Sequence, residues 1–495
     1  MVALGLAAGV VAQGGPVTGA LNSDTRVVVA AKNGDRETAR KLIRLHANVN
    51  TPDVDGTSAL HWAAQLNDPE MASLLIQAGA NVKAANRYGV TPLSLACTNG
   101  NSDIIEKLLK AGADANSALP EGETVLMTAA RTGNLDAVKM LLGHDAKVNV
   151  KENWHGETAL MWASAENHPA VVQALIDRGA DVHARSNVAG FTPSNEGYLP
   201  GTYLPVGSFS PLLFAVREGH IECVRVLLAA GADVNESMPG GASALTMAIL
   251  NAHYELGALL LEKSANANTD AQGWAPLHQL VWARNPNRHF NLPPALPTGN
   301  MDSLDFAKAL LAHGADPNAR MTKEPYDGFR NWMNRIGATP YILAAKAADP
   351  ALMRLLTEHG ANPKLDSKDN TTAVMAAAGV GFWPAESPGT ENESLEAVKL
   401  AVELGGDVNA INDGGYSAMH GAAVHGSNSV VKFLFDKGAR LDVRTVKEGW
   451  TPLAIADGVF IANTYKATPE TAAFIRRLTG AKSATALQGS VDRQN

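Results

Sequence analysis

The sequence predicts an all-α-dominated solenoid of about twelve stacked repeats, each a helix-turn-helix with a projecting finger hairpin. Three observations predict it. A Gly-Ala-Asp/Asn-x-Asn signature recurs, most often every 33 residues, along nearly all of the 495-residue chain. A second signature, Gly-x-Thr/Ser-Pro/Ala-Leu-His-x-Ala-Ala, keeps phase with the first. Apolar residues make up 46% of the chain and aromatics only 5%, which suits helices packed through Ala, Leu and Val rather than through large rings.

The alanine of the first signature serves as a ruler. It falls at Ala47, Ala80, Ala113, Ala146, Ala180, Ala232, Ala265, Ala315, Ala361, Gly406, Ala439 and Ala481. The intervals are 33, 33, 33, 34, 52, 33, 50, 46, 45, 33 and 42. The second signature reads GTSALHWAA from Gly56, GVTPLSLAC from Gly89, GETALMWAS from Gly156 and GYSAMHGAA from Gly415. In each copy Thr or Ser caps a first helix, and where Pro follows, as in GVTPLSLAC, it fits the first turn, where a missing N–H costs nothing. The Ala pair allows close approach of a neighbouring helix. Stretches such as Ile104-Ile105-Lys107-Leu108-Leu109 put an apolar stripe on a second helix. A glycine then ends that helix in the left-handed region, and the Asp-Gly turn forms the finger. No unit buries its face alone, so stability comes from stacking.

These two signatures resemble the ankyrin repeat, and about twelve copies cover residues 24–481. The resemblance implies a non-catalytic scaffold that binds a protein or peptide through a concave surface of fingers and inner helices. GADPNARMTK at Gly314, AAGVG at Ala377 and GAAVHGSNSVVKFL at Gly421 are also similar to secreted or periplasmic bacterial ankyrin-repeat proteins.

The array is expected to run as one solenoid over residues 23–481, with departures from the period near 190–209, 285–302, 321–336, 381–393 and 458–467. The first and third fall in fingers. The second and fourth join the two helices of one unit, and the fifth sits in the last unit. The inserts concentrate Pro, Gly and aromatic rings, and per-repeat insertions map to loops that often bind. The candidate partner-binding residues are therefore Phe191, Tyr198, Tyr203, Phe209, Trp332, Phe382 and Trp383. Trp274, Tyr416 and Trp450 join them, because they share with Phe209 the slot between Gly and Thr that points onto the concave side. Such rings also serve to cover the solenoid's own apolar flank. Trp62 and Trp162 occupy a different position, which reads as core packing.

Composition excludes several functions. A net charge of −8 and a pI near 6.0 supply no basic footprint for nucleic acid. No apolar run is long enough to span a membrane. No nucleophile elbow, phosphate-cradling loop, His-Glu-x-x-His or Cys-x-x-Cys is present, so no catalytic residue, cofactor or metal site is assigned. Of the 14 histidines, His61, His278 and His420 hold the Leu-His slot, where the ring bonds neighbouring backbone. Cys97 and Cys223, three repeats apart by this register, are too distant for a disulfide.

MVALGLAAGVVAQGG lacks a basic n-region but ends its apolar run in small residues, as the back half of a secretion signal does. Residues 1–22 are read as a leader, which gives a periplasmic or secreted location; a cytoplasmic one is the alternative. Residues 482–495 are expected to be disordered, and the protein to be monomeric. The alternative functions are an envelope factor that stabilises a neighbouring enzyme and an enzyme acting on carbohydrate or peptide at the inserts.

Overall fold

The computed structural model describes residues 24–189, 206–284, 296–325, 333–381, 389–461 and 464–480. Among these residues 24 helices form twelve consecutive pairs, accompanied by two short antiparallel hairpins. The all-α repeat solenoid expected from the period is the observed fold class.

The pairs divide between two compact units. The first unit holds α1 (Arg26–Lys32) and α2 (Arg36–Arg44), α3 (Ala59–Gln65) and α4 (Pro69–Gln77), α5 (Pro92–Asn99) and α6 (Ser102–Lys110), and α7 (Val125–Thr132) and α8 (Leu135–Gly143). The second begins with α9 (Ala159–Ala165) and α10 (Pro169–Ile176), α11 (Pro211–Glu218) and α12 (Ile221–Ala229), α13 (Ala244–Leu250) and α14 (Tyr254–Glu262), and α15 (Pro276–Arg284) and α16 (Ser303–Ala312). It continues with α17 (Pro340–Lys346) and α18 (Pro350–Glu358), α19 (Ala373–Ala378) and α20 (Glu391–Glu403), α21 (Ala418–His425) and α22 (Asn428–Asp436), and α23 (Pro452–Asp457) and α24 (Pro469–Thr479). Within each unit the odd-numbered inner helices pack in a row, and each even-numbered outer helix packs on its partner.

The signatures now have physical meanings. Thr91, Thr124, Thr158, Thr339, Thr372 and Thr451 each accept the N–H of the third helical residue. Outer helices close on Gly79, Gly112, Gly231, Gly314, Gly360 and Gly438, all at φ between +82° and +94°. Where glycine is missing, His46, Asp145 and Ser264 take the same left-handed conformation, which costs a side-chain-bearing residue about 1 kcal/mol or more. The final Asn of the first signature ties one repeat to the next. Asn318 Nδ2 donates to the Gly360 carbonyl (2.9 Å), and the Asn362 N–H donates back to Asn318 Oδ1 (2.7 Å). Asn50, Asn116, Asn268 and Asn409 repeat this two-way bond. Asp442 replaces the Asn at the last joint and is held by Arg440 instead.

Four of the departures from the period are anchored within the described residues. The insert near 190–209 leaves from a hairpin in which β1 (Val188–Ala189) pairs with β2 (Val206–Gly207). At its base Arg185 bonds buried Glu236 (2.7 Å) and the Ser208 carbonyl (3.0 Å). The return of the second insert lies along the preceding repeat, with Thr298 Oγ1 2.9 Å from His253 Nδ1 and the Asn300 N–H donating to Glu255. Arg284 pins the same joint through Asp349 (2.7 Å) and Ser303. In the third insert, buried Arg335 bonds Glu324 (2.9 Å) and the Pro325 carbonyl (3.1 Å). The fifth forms a second hairpin, β3 (Val459–Ile461) with β4 (Thr464–Lys466), beside the Asp457–Arg476 ion pair. The candidates Phe191, Tyr198, Tyr203, Trp332, Phe382 and Trp383 lie outside the described residues, as do the leader and the tail.

Candidate partner-binding surface

The slot residue between Gly and Thr stands over its own inner helix, on the residues five and eight positions further along the chain. Glu123 accepts from the Thr128 hydroxyl (2.8 Å) and pairs with Arg131 (3.5 Å). The Phe209 ring meets that of Phe214 at 5.2 Å, with the Arg217 guanidinium 5.1 Å from both ring centres. Trp274 Nε1 donates to Gln279 Oε1 (3.0 Å), and its ring sits edge-on to Trp282 at 5.5 Å. Positions i+5 and i+8 differ by three residues and so share one helix face. Each repeat thus presents a triad of one finger residue and two inner-helix residues.

Chemistry varies along the row. In the first unit the inner-helix positions are Val29 and Lys32, Trp62 and Gln65, Leu95 and Thr98, and Thr128 and Arg131. Lys32 lies 4.9 Å from the Trp62 ring, a modest cation–π attraction at a half-exposed site. In the second unit, α11 offers Phe214 and Arg217, α13 offers Met247 and Leu250, and α15 offers Gln279 and Trp282. Leu250 is 47% exposed, and Trp274 and Trp282 are half-exposed. From α17 to α21 these positions shrink to Leu343, Ala376, Gly379 and Gly421, apart from Lys346 and Val424. The chain itself fills the space there. A Cβ on Gly421 would lie 2.6 Å from the Val380 amide nitrogen, and one on Gly381 would lie 2.4 Å from Met333 Cβ. Helices α11, α13 and α15 thus carry large apolar side chains on three successive inner helices.

Four of the ten sequence-derived candidates can be placed. Phe209 is buried against Phe214. Trp274 is half-exposed in its triad. Tyr416 is half-buried, edge-on to His420 at 5.8 Å, and burial pushes its hydroxyl up to about 12. Trp450 is half-buried, and its carbonyl accepts a bond from His420 Nε2 (3.1 Å). Trp62 and Trp162 depart from the core-packing expectation. Both occupy the i+5 position and are half-exposed, because that position turns toward the fingers rather than between the helix rows. Sequence reasoning also passed over Trp282, which the i+8 spacing identifies. In the second hairpin, Phe460 (69% exposed) and Tyr465 (58%) lie 5.3 Å apart and present an aromatic pair. Their exposure depends on strand register and carried no repeat-derived signal.

The histidines behave as joints. The Ser58 N–H donates to His61 Nδ1 (3.1 Å), and His61 Nε2–H donates to the Val90 carbonyl of the next finger (2.9 Å). His278 links Ala275 to Ala338, and His420 links Ser417 to Trp450, in the same way. Burial lowers all three pKa values, to about 4 for His278 and His420. Cys97 and Cys223 are free and buried, and burial pushes both thiols up to about 12, so neither is a ready nucleophile. Among the described residues no cluster of three His, Cys, Asp or Glu could hold a metal, and no helix is long and apolar enough to cross a membrane.

Comparison with known proteins agrees with this architecture. The chain is 28% identical over 249 residues to human Ankyrin repeat and SOCS box protein 16, covering 50% of this chain and 47% of that one. It is 28% identical over 194 residues to the Putative ankyrin repeat protein YahD of Escherichia coli, covering 34% and 89%. The chain spans about half the length or less of the first of these curated relatives. The solved human ASB11 ankyrin repeat domain aligns at 25% identity and a TM-score of 0.37, over 45% of this chain and 90% of that one. The family model for Ankyrin repeats (3 copies) matches residues 27–118, 112–186, 212–289 and 389–458. With well over half of its length so matched, the chain belongs to the ankyrin-repeat family.

Proposed function

We propose that this protein is a scaffold that captures a protein or peptide partner on the inner face of α11, α13 and α15. Ankyrin repeats are general protein–protein interaction modules, and no catalytic family is indicated for this chain. The observation that carries the reading is the triad geometry. It projects finger residues over two inner-helix positions, and α11, α13 and α15 in succession place Phe209, Phe214, Met247, Leu250, Trp274 and Trp282 there. Such rings and aliphatic anchors, already partly immobilised by their neighbours, lose little entropy on binding.

The test is affinity capture with the intact chain against a Leu250→Glu/Trp282→Ala variant. Loss of the captured partner with unchanged helicity supports the reading, and equal capture by both chains overturns it. A stoichiometric complex on size exclusion separates this function from that of an envelope factor with no fixed epitope. We further propose a periplasmic or secreted location, from the small-residue-terminated apolar run at the N-terminus. Cell fractionation tests it, and a purely cytoplasmic signal counts against it.

A further inference from the structure

The inner face of α11, α13 and α15 is one-sided in its hydrogen bonding. Arg217 Nε donates to Glu218 (2.7 Å), and the guanidinium lies 5.1 Å from the Phe209 and Phe214 ring centres. Its two terminal nitrogens meet no acceptor among the described residues, and the side chain is 41% exposed. Gln279 Oε1, the side-chain oxygen at these triad positions, already accepts from Trp274 Nε1 (3.0 Å). Trp282 is half-exposed, and its indole N–H has no partner among the described residues. The triads thus offer one cation and unspent N–H donors over a floor of rings and aliphatic side chains. The complement of such a face is a row of carbonyl oxygens on an apolar chain.

Spacing narrows the choice. The inner helices α11, α13 and α15 pack in succession, and packed helices stand about 8–10 Å apart. A polyproline II segment repeats every three residues, about 9 Å along its axis. Residues i, i+3 and i+6 of such a segment therefore meet the three helices in turn. Its carbonyls make no internal bonds and its prolines carry no N–H, so it supplies acceptors without requiring any. A β-strand returns to the same face every two residues, roughly 7 Å, and falls out of step with the helices. An α-helix matches the spacing every seven residues, about 10 Å, but its interior carbonyls are spent on its own bonds.

We propose that this face binds a proline-rich segment of its partner in the polyproline II conformation. The inference rests on the partner-capture reading above and names the chemistry of the partner. Pyrrolidine rings lie against Leu250 and the edge-on Trp274–Trp282 pair. The Trp282 N–H donates to one carbonyl, and the terminal N–H groups of Arg217 donate to another. A segment already extended before it binds loses little entropy on docking.

The test is fluorescence anisotropy of a labelled ten-residue polyproline peptide titrated with the full chain. A (Gly-Ser)5 peptide and a helical (Glu-Ala-Ala-Ala-Lys)3 peptide carry the same label as controls. Only the polyproline peptide is expected to bind. Trp282→Phe keeps a ring and removes the donor, and should weaken binding roughly three- to tenfold. Arg217→Met should do likewise, with helix content unchanged in both variants. No binding of the polyproline peptide, tighter binding of the helical one, or parent-like binding by both variants overturns the proposal. Partner capture lost in the Leu250→Glu/Trp282→Ala chain without polyproline binding to the parent overturns this inference alone. Capture equal in both chains overturns the reading on which it rests.

Discussion

At the residue scale the joint histidines predict a pH dependence. His278 and His420 ionise near 4 in the folded chain, below the ordinary value of 6.5, because burial penalises the charged ring. His425 is lowered to about 4 by burial and by nearby Lys346 and Lys466. The unfolded chain therefore binds more protons between pH 4 and 6.5, and stability falls as pH drops through that window and then levels. At about 1.4 kcal/mol per pKa unit, each ring contributes on the order of 3 kcal/mol. Urea melts from pH 7 to pH 4 should show the loss, and His278→Gln/His420→Gln should reduce it. A pH-independent midpoint in the parent chain would contradict the assignment. Glycines give a second residue-scale prediction. Gly421→Ala drives a methyl into the Val380 backbone, whereas the space around Gly449 is open although its φ is +68°. Gly421→Ala should cost roughly 1–3 kcal/mol by overpacking, against about 1 kcal/mol of backbone strain at Gly449→Ala. Equal losses would show that the passage of Val380 over α21 is not tight.

At the scale of elements, the ties between repeats are few and specific. Asn318→Ala removes both strands of its two-way bond and should cost roughly 1–2 kcal/mol, measurable as a shift in urea midpoint with unchanged slope. The Arg284–Asp349 pair is the stronger case, since Asp349 is 7% and Arg284 14% exposed at the side chain. Arg284→Met strands a buried carboxylate that also caps α18, so the loss should reach roughly 3 kcal/mol. Arg284→Met/Asp349→Asn should recover part of it, and a double variant no better than the single one would refute the pairing argument. Surface pairs such as Lys308–Asp305 should be near neutral when removed.

Across the whole molecule, each repeat is stabilised by its neighbours, so position in the stack decides the effect of a core change. Phe306 is fully buried in α16, its ring 5.4 Å from that of Tyr254 and close enough to α14 that a Cβ on Gly257 would sit 2.7 Å from it. Phe306→Ala should cost about 3–5 kcal/mol and broaden the unfolding transition by uncoupling the repeats on either side. Ile475→Ala in α24, the last described helix, should release only that end. Hydrogen exchange resolves the two cases: protection lost through α14, α16 and α18 for the first, and confined to α22–α24 for the second. Identical exchange patterns would mean that the second unit folds as one indivisible block.

The repeat, its caps and its joints were legible in the sequence, because each depends on chemistry within about 33 residues. A Thr that caps, a Gly at positive φ and a His between Ser58 and Val90 are chosen locally, and each recurs in register. The positions of the five inserts were legible for the same reason, as excess over a fixed period. Which side chains stand together was not. Phe209 reads the same as Trp274 in the chain, yet one is buried and the other half-exposed. Trp62 reads as core and stands on the open side. By itself the sequence determined the unit, its number and its interruptions, since those follow from local propensity and periodicity. The tertiary structure decided which inner faces stay open, because that depends on where the chain's own returning segments come to lie.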